Sequence, residues 1–200
     1  MQATSSLTEK QTEIADAALR VIGRKGISAL TTTTLAAELG VSSGAPFRHF
    51  ESRDAILDAV TQRVTDLVAT TYPDPRLPPL ERLEALFQAR VNTIGSFAGV
   101  ARLIFSEQFT LALPQEASER MLDLVRDTRA FVLQALREGV ECGEIRGTPP
   151  PKALLPVVMG CLQHLVFLNA LPKGVGQAPG AGEVLSTLRC LLAPNPFCES

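Results

Sequence analysis

The 200-residue sequence predicts an all-α chain. Apolar residues recur at the helical spacing of three and four along most of its length. Ser and Thr stand where helices would begin, and glycines where they would end. The same signals divide it. Short helices with tight turns occupy residues 1–52, and longer amphipathic helices occupy residues 53–200.

Thr8 opens a Thr-x-x-Gln capping box, in which the threonine oxygen accepts a free helix N–H and the glutamine reaches back to the threonine N–H. Ile14, Ala17, Ala18, Val21 and Ile22 then trace one apolar stripe that stops at Gly26. A second helix is predicted over residues 32–39, capped by Thr31, with Leu35, Ala36 and Leu39 on one face. Ala36 is small where two helices cross closely, and Gly40 supplies the positive φ that turns the chain. Over residues 41–50 the pattern predicts a short helix starting at Ser43 under a Ser42 cap, with an outer face suited to DNA. Pro46 lacks an N–H and its ring crowds the Ser42 carbonyl, a clash that the non-helical angles of a cap soften. The three helices make a helix-turn-helix resting on a first helix.

Ser52 caps the next helix, which Ile56, Leu57, Val60, Val64, Leu67 and Val68 carry to a break at Tyr72-Pro73-Asp74-Pro75. From residue 79, Leu80, Leu83, Leu86, Phe87, Val91, Ile94 and Phe97 define a long amphipathic helix, and a short one follows Gly99 over residues 100–109. Residues 115–142 set Met121, Leu124, Val125, Thr128, Phe131, Val132, Ala135 and Leu136 on one face and end before Gly143. Residues 153–172 contain no Asp, Glu, Lys or Arg and are long enough to span a membrane. Pro156, Gln163, His164 and Asn169 interrupt that run, and a helix apolar on all sides also fits the inside of a bundle. No membrane partner is expected. A last helix over residues 182–192 carries Val184, Leu185, Leu188 and Leu192 as its stripe.

Gly26, Thr31, the run Gly40-Val41-Ser42, Phe47, the pair His49-Phe50 and Arg53 follow one another in register, without a gap. In that order they resemble the N-terminal pattern of the TetR family of bacterial transcription regulators, over about residues 14–57. Beyond residue 57 the likeness is one of architecture. It implies a helical ligand-binding and dimerisation domain after the helix-turn-helix DNA-binding domain. It also implies a homodimer whose last two long helices, here residues 153–171 and 182–192, form a four-helix interface.

The resemblance implies roles for individual residues. Thr31 and Ser42 belong to the DNA-facing pattern as caps, and Ser43, Gly44 and Ala45 sit where the family reads base edges. Ala45 can touch a thymine methyl and Ser43 can bond several bases, but neither makes a bidentate contact. Arg48 can read guanine or hold the DNA backbone. Thr33 stands where family members reach a base or phosphate, and is otherwise an exposed helix-start threonine. His49 matches a phosphate-contacting histidine. Arg53 matches a lysine at a helix start, where anions are attracted. Phe47 replaces the usual tyrosine and loses its phosphate-bonding hydroxyl.

Charge is weak support for DNA binding. Through residue 55 the six bases Lys10, Arg20, Arg24, Lys25, Arg48 and Arg53 meet the six acids Glu9, Glu13, Asp16, Glu38, Glu51 and Asp54. Affinity must therefore come from where the cations sit. If Arg48 and Arg53 of each subunit neutralise two phosphates, log affinity should fall against log salt with a slope of roughly −4.

In the second part of the chain, Arg90 falls among Leu86, Phe87, Ile94 and Phe97 on the apolar side of its helix, and a buried cation needs a partner. Glu107 or an acidic group on a ligand can supply it. Phe87, Arg90, Phe105, Phe109, Phe131, His164 and Phe167 are the candidate lining of an apolar pocket for an unidentified small-molecule effector. For His164 and Gln163 the alternative is a place as hydrogen-bonded interface residues, the reading the sequence favours over ligand contact.

Cys142, Cys161, Cys190 and Cys198 form no CxxC pair and no Cys/His cluster, so no metal, disulfide framework or cofactor is expected; thiol sensing is a minor alternative. Two histidines far apart and no nucleophile motif argue against an enzyme with catalytic residues. The polar first residues lack the layout of a secretory signal, which points to the cytoplasm. The function expected is a ligand-responsive transcription regulator, most simply a repressor, that binds a palindromic double-stranded operator as a homodimer. The alternative is a DNA-binding protein of the same fold controlled by a protein partner.

Overall fold

The computed structural model describes residues 7–97, 100, 112–170 and 180–194. Among them are seven α-helices and no strand: α1 (Glu9–Lys25), α2 (Thr32–Leu39), α3 (Arg53–Ala69), α4 (Pro79–Thr93), α5 (Gln115–Glu141), α6 (Pro151–Asn169) and α7 (Ala181–Leu192). Two 3-10 turns, Ile27–Ala29 and Pro46–Arg48, flank α2. The chain forms two compact units, Met1–Ala69 with Phe97–Leu124, and Thr70–Ser96 with Val125–Ser200.

The first unit is organised by α1. The predicted capping box is present: the Thr8 hydroxyl accepts from the Gln11 N–H, the Gln11 side chain accepts from the Thr8 N–H, and Gly26 at φ 83° ends the helix. Ala15, Ala17 and Ala18 are wholly buried beside Ile14 and Leu19. Side chains this small let α2 and α3 both pack on α1, and α3 offers Ile56, Leu57, Ala59, Val60 and Val64 in return. Arg63 of α3 meets Asp16 of α1 two-pronged, Nε to Oδ1 at 2.8 Å and Nη2 to Oδ2 at 3.3 Å. Ser52 caps α3 by accepting from the Ala55 N–H. Arg120, on the part of α5 in this unit, donates to Asp58 Oδ1 at 2.7 Å and Thr61 Oγ1 at 2.8 Å.

In the second unit α4 packs against α6 and α7. The α4 helix stops at Thr93, short of the expected Phe97. Asn169 Nδ2 donates to the Val91 carbonyl at 3.1 Å, the acceptor that the Gly95 N–H would take in a longer helix. Gly95 bonds back to Arg90 instead. Side chains close two of the helix ends in this unit. Glu144 accepts from the Leu80 N–H at the start of α4. The Arg146 guanidinium donates to the Cys190 and Ala193 carbonyls at the end of α7, where a cation is favoured.

The α6 helix alone among the described residues is long and apolar enough to cross a membrane, yet it has two faces. Leu154, Leu155, Val158, Met159, Leu162, Leu165 and Val166 are buried, while Val157 and Phe167 are exposed.

Gly40, at φ 68° and ψ 31°, takes the left-handed conformation that closes α2, and a Cβ there would touch nothing within 4 Å. The cost of a side chain is therefore purely conformational. Gly40→Ala should lower unfolding free energy by about 1–2 kcal/mol in urea titration, and Gly40→Asn by less.

Candidate functional site

After α2 the backbone makes a Schellman turn, with Val41 N–H bonding to the Ala36 carbonyl and Gly40 N–H to the Ala37 carbonyl. The next segment differs from the expected short α-helix capped by the Ser42 side chain. It is a tight 3-10 turn: Ala45 N–H bonds to the Ser42 carbonyl at 2.9 Å, Arg48 N–H to Ala45 and His49 N–H to Pro46. Pro46 is the reason. An α-helix from Ser43 would bring a residue-46 N–H to the Ser42 carbonyl, and proline has none. Ala45 supplies the bond one residue earlier, so Ser42 acts through its backbone carbonyl.

Pro46 and Phe50 are buried and pin the turn down. Ser42, Ser43, Gly44, Arg48 and His49 are exposed along its outer edge, with Ala45 and Phe47 half-buried. Gln11 Nε2 donates to the His49 carbonyl at 3.4 Å, tying the turn to the first turn of α1. Lys10, Ala45, Arg48 and His49 line one shallow hollow there with Ile14, Leu39, Val41 and Pro46. Lys10, Arg48 and His49 thus form a basic patch, although the sequence pattern assigned no role to Lys10. The Lys10 ammonium also meets Glu13 at 2.6 Å, an exposed pair that a phosphate can displace at little cost.

Other cations of this unit are held more firmly. Arg20 Nε and Arg24 Nη2 both hold Glu38 Oε1, at 2.7 and 2.9 Å. The Arg20 hydrogen bond, helped by the Arg24 charge, lowers the Glu38 pKa from its ordinary value. Arg53 Nε and Nη2 donate to the Leu30 and Ile27 carbonyls at 3.1 and 3.2 Å, bracing the start of α3 against the turn before α2. The guanidinium expected at a phosphate is therefore first a backbone clamp. Thr31 is the predicted cap, and its hydroxyl accepts from the Thr34 N–H at 3.2 Å. Thr33 is exposed on the first turn of α2.

In the second unit the expected pocket lining comes together only in part. Arg90 and Phe131 gather around Tyr72. The Arg90 Cζ lies 5.0 Å from the Tyr72 ring centre, and Phe131 meets that ring edge-on at 5.2 Å. Phe87 is fully buried in the core. His164 and Phe167 instead lie exposed on α6, because the apolar run of that helix serves two faces and spacing alone does not tell core from surface. His164 lines an apolar groove with Pro156, Val157, Gly160, Cys161 and Val184, between α6 and α7. Phe105, Phe109 and Glu107 lie outside the described residues. Cys142, Cys161 and Cys190 are free thiols.

Residues 14–60 match the family model for bacterial regulatory proteins of the tetR family. The head is that of a TetR-family regulator. The HTH-type transcriptional repressor KstR2 of Mycobacterium tuberculosis is 24% identical over 143 residues, which span 70% of this chain and 71% of the relative. KstR2 of Rhodococcus jostii is 25% identical over 147 residues, 72% and 71% of the two chains. The solved structure of M. tuberculosis KstR2 superposes with a TM-score of 0.76 at 20% identity, over 97% of this chain and 100% of that one. AibR in complex with isovaleryl coenzyme A and operator DNA superposes with a TM-score of 0.75 at 18% identity, over 93% and 99%. These likenesses carry the TetR-type fold through the helices after the head.

Within this TetR-type head, Phe47 lies half-buried between Pro46 and the exposed Arg48. Restoring the family hydroxyl tests which way the ring edge faces. Phe47→Tyr should tighten DNA binding by about 1 kcal/mol per subunit, roughly fivefold for one subunit and about thirtyfold for two, in fluorescence anisotropy. Unchanged affinity would mean that the ring edge faces no phosphate.

Proposed function

We propose that this DNA-binding transcription regulator is a cytoplasmic repressor that grips a palindromic operator as a homodimer and leaves it when a small, largely apolar effector binds. Residues 1–52 read the DNA, and residues 53–200 bind effector and partner. One observation carries the proposal most. The turn after Gly40 puts Ser43 and Gly44 on an open edge beside Lys10, Arg48 and His49, while Pro46 and Phe50 hold that edge rigidly on the core. Small residues let the backbone approach base edges, and the Lys10 and Arg48 cations with the His49 ring N–H meet phosphates. Ala45 and Phe47 complete the base-facing and phosphate-facing surface, with Thr31, Thr33, Ser42 and Arg53 at its margins. The likeness to the transcriptional repressor KstR2 and to AibR in complex with isovaleryl coenzyme A and operator DNA supports repression and effector control.

The dimer is assigned to the open face of α6 and α7. Val157 is 55% exposed, Phe167 42% and Leu191 60%, and the groove of about 340 Å³ beside them is almost wholly apolar. A second copy of the same face is the partner that two-fold symmetry supplies. Effector binding then shifts the balance between dimer states, a coupling of about 1–3 kcal/mol that weakens DNA binding roughly 5- to 150-fold.

Selection of bound sequences from random DNA should recover a palindrome, and none recovered at low salt would defeat the proposal. Arg48→Ala should relax one base position of that site; equal weakening on every sequence would make Arg48 a phosphate contact. In analytical ultracentrifugation Phe167→Glu should yield monomer, whereas an intact dimer would place the interface elsewhere.

A further inference from the structure

Two arginines are buried on α4, eight residues apart, and they differ in one respect. Arg82, 5% exposed, pairs through Nη2 with the Glu138 carboxylate on α5. Arg90, 6% exposed, has no carboxylate within ion-pair reach among the described residues. Its Nη2 donates to the Thr128 hydroxyl at 3.2 Å, the Tyr72 ring covers one face of the guanidinium, and Nε, like that of Arg82, is buried with no hydrogen-bond partner among the described residues, so the missing carboxylate is what sets Arg90 apart. Tyr72 Oη and Thr128 Oγ1 lie 3.0 Å apart and complete the polar cluster, with the Phe131 ring against Tyr72.

Burial lowers the pKa of Arg90, opposed by Tyr72, but a guanidinium does not shed its proton near neutral pH. It therefore remains a cation inside the protein, where an isolated charge is unfavourable unless an anion meets it. The unsatisfied atom also has a shape. Nε and Nη2 form the side-on edge of a guanidinium, the same pair of nitrogens that Arg63 presents to both oxygens of Asp16. That edge matches the two oxygens of a carboxylate.

We propose that Arg90 anchors the carboxylate of an apolar monocarboxylic acid, which binds through Nε and Nη2 with the Tyr72 ring behind the guanidinium and the Thr128 hydroxyl beside it. This rests on the effector reading above and narrows it: the effector is an anion with an apolar tail, and its negative charge is the counterpart that Arg82 has in Glu138. The selectivity should be for acid over alcohol of equal length, because an alcohol cannot neutralise the cation.

The test uses the full chain in thermal-shift and calorimetric titrations. The probes are n-alkanoates of about four to twelve carbons, sized for a small-molecule pocket, and the n-alkanols of matched length. At least one alkanoate should bind about 10- to 100-fold more tightly than its alcohol. Arg90→Met should abolish that preference while the ligand-free variant melts at the same temperature or higher. Acids and alcohols binding equally well would overturn the anion site and leave the effector reading standing. The anion site is overturned in the same way if the preference survives in Arg90→Met, or if the ligand-free variant melts several degrees lower, which marks Arg90 as structural. Binding by neither series would count against a small apolar effector altogether.

Discussion

The contact on which the head depends is the small-residue face of α1. Ala15, Ala17 and Ala18 are wholly buried, and their size lets α2 and α3 settle on the same helix. Larger side chains there would hold at least one of them off. With α1 as a common support, the two polar clamps find their partners: Asp16 takes Arg63, and the carbonyls of Ile27 and Leu30 take Arg53. The turn between α2 and α3 is left outside, anchored by Pro46 and Phe50. The exposed edge is rigid because its supports are buried, which is the condition for a surface that must match a groove in DNA.

Local signals are legible in the sequence and distant ones are not. Thr8, Thr31 and Ser52 cap the helices that their positions predict, and Gly26, Gly40 and Gly143 all have positive φ, because each depends on a few neighbouring residues. The end of α4 does not. It is set by Asn169, 78 residues away in sequence. The segment over residues 42–49 shows a local conflict, with cap and periodicity favouring an α-helix and one missing N–H deciding for a 3-10 turn. For α6, period alone does not separate the buried stripe from the exposed one; the sequence leaves His164 open between pocket and interface, and both it and Phe167 are exposed on the single chain.

The neutral charge total of the head takes on a spatial meaning. Glu38 holds Arg20 and Arg24, and Arg53 is turned to backbone carbonyls. Lys10, Arg48 and His49 stand together around one hollow. In the proposed complex, a positive field confined to that spot would orient the head on DNA without a strong pull toward every phosphate backbone. Arginine is used in two further ways in the second unit, as an ion-paired cation at position 82 and, among the described residues, as a cation without a carboxylate at position 90. One residue type thus serves as clamp, proposed DNA contact and proposed effector anchor, according to what surrounds it.

In the proposed complex two copies of the edge after Gly40 enter successive major grooves on one face of the DNA. Methylation-protection footprinting on a selected site tests it most directly, since guanine N7 lies in the major groove. Two protected patches about 34–36 Å apart, one turn of the double helix, related by a two-fold axis, are expected. A single protected patch, or protection confined to the minor groove, would contradict it.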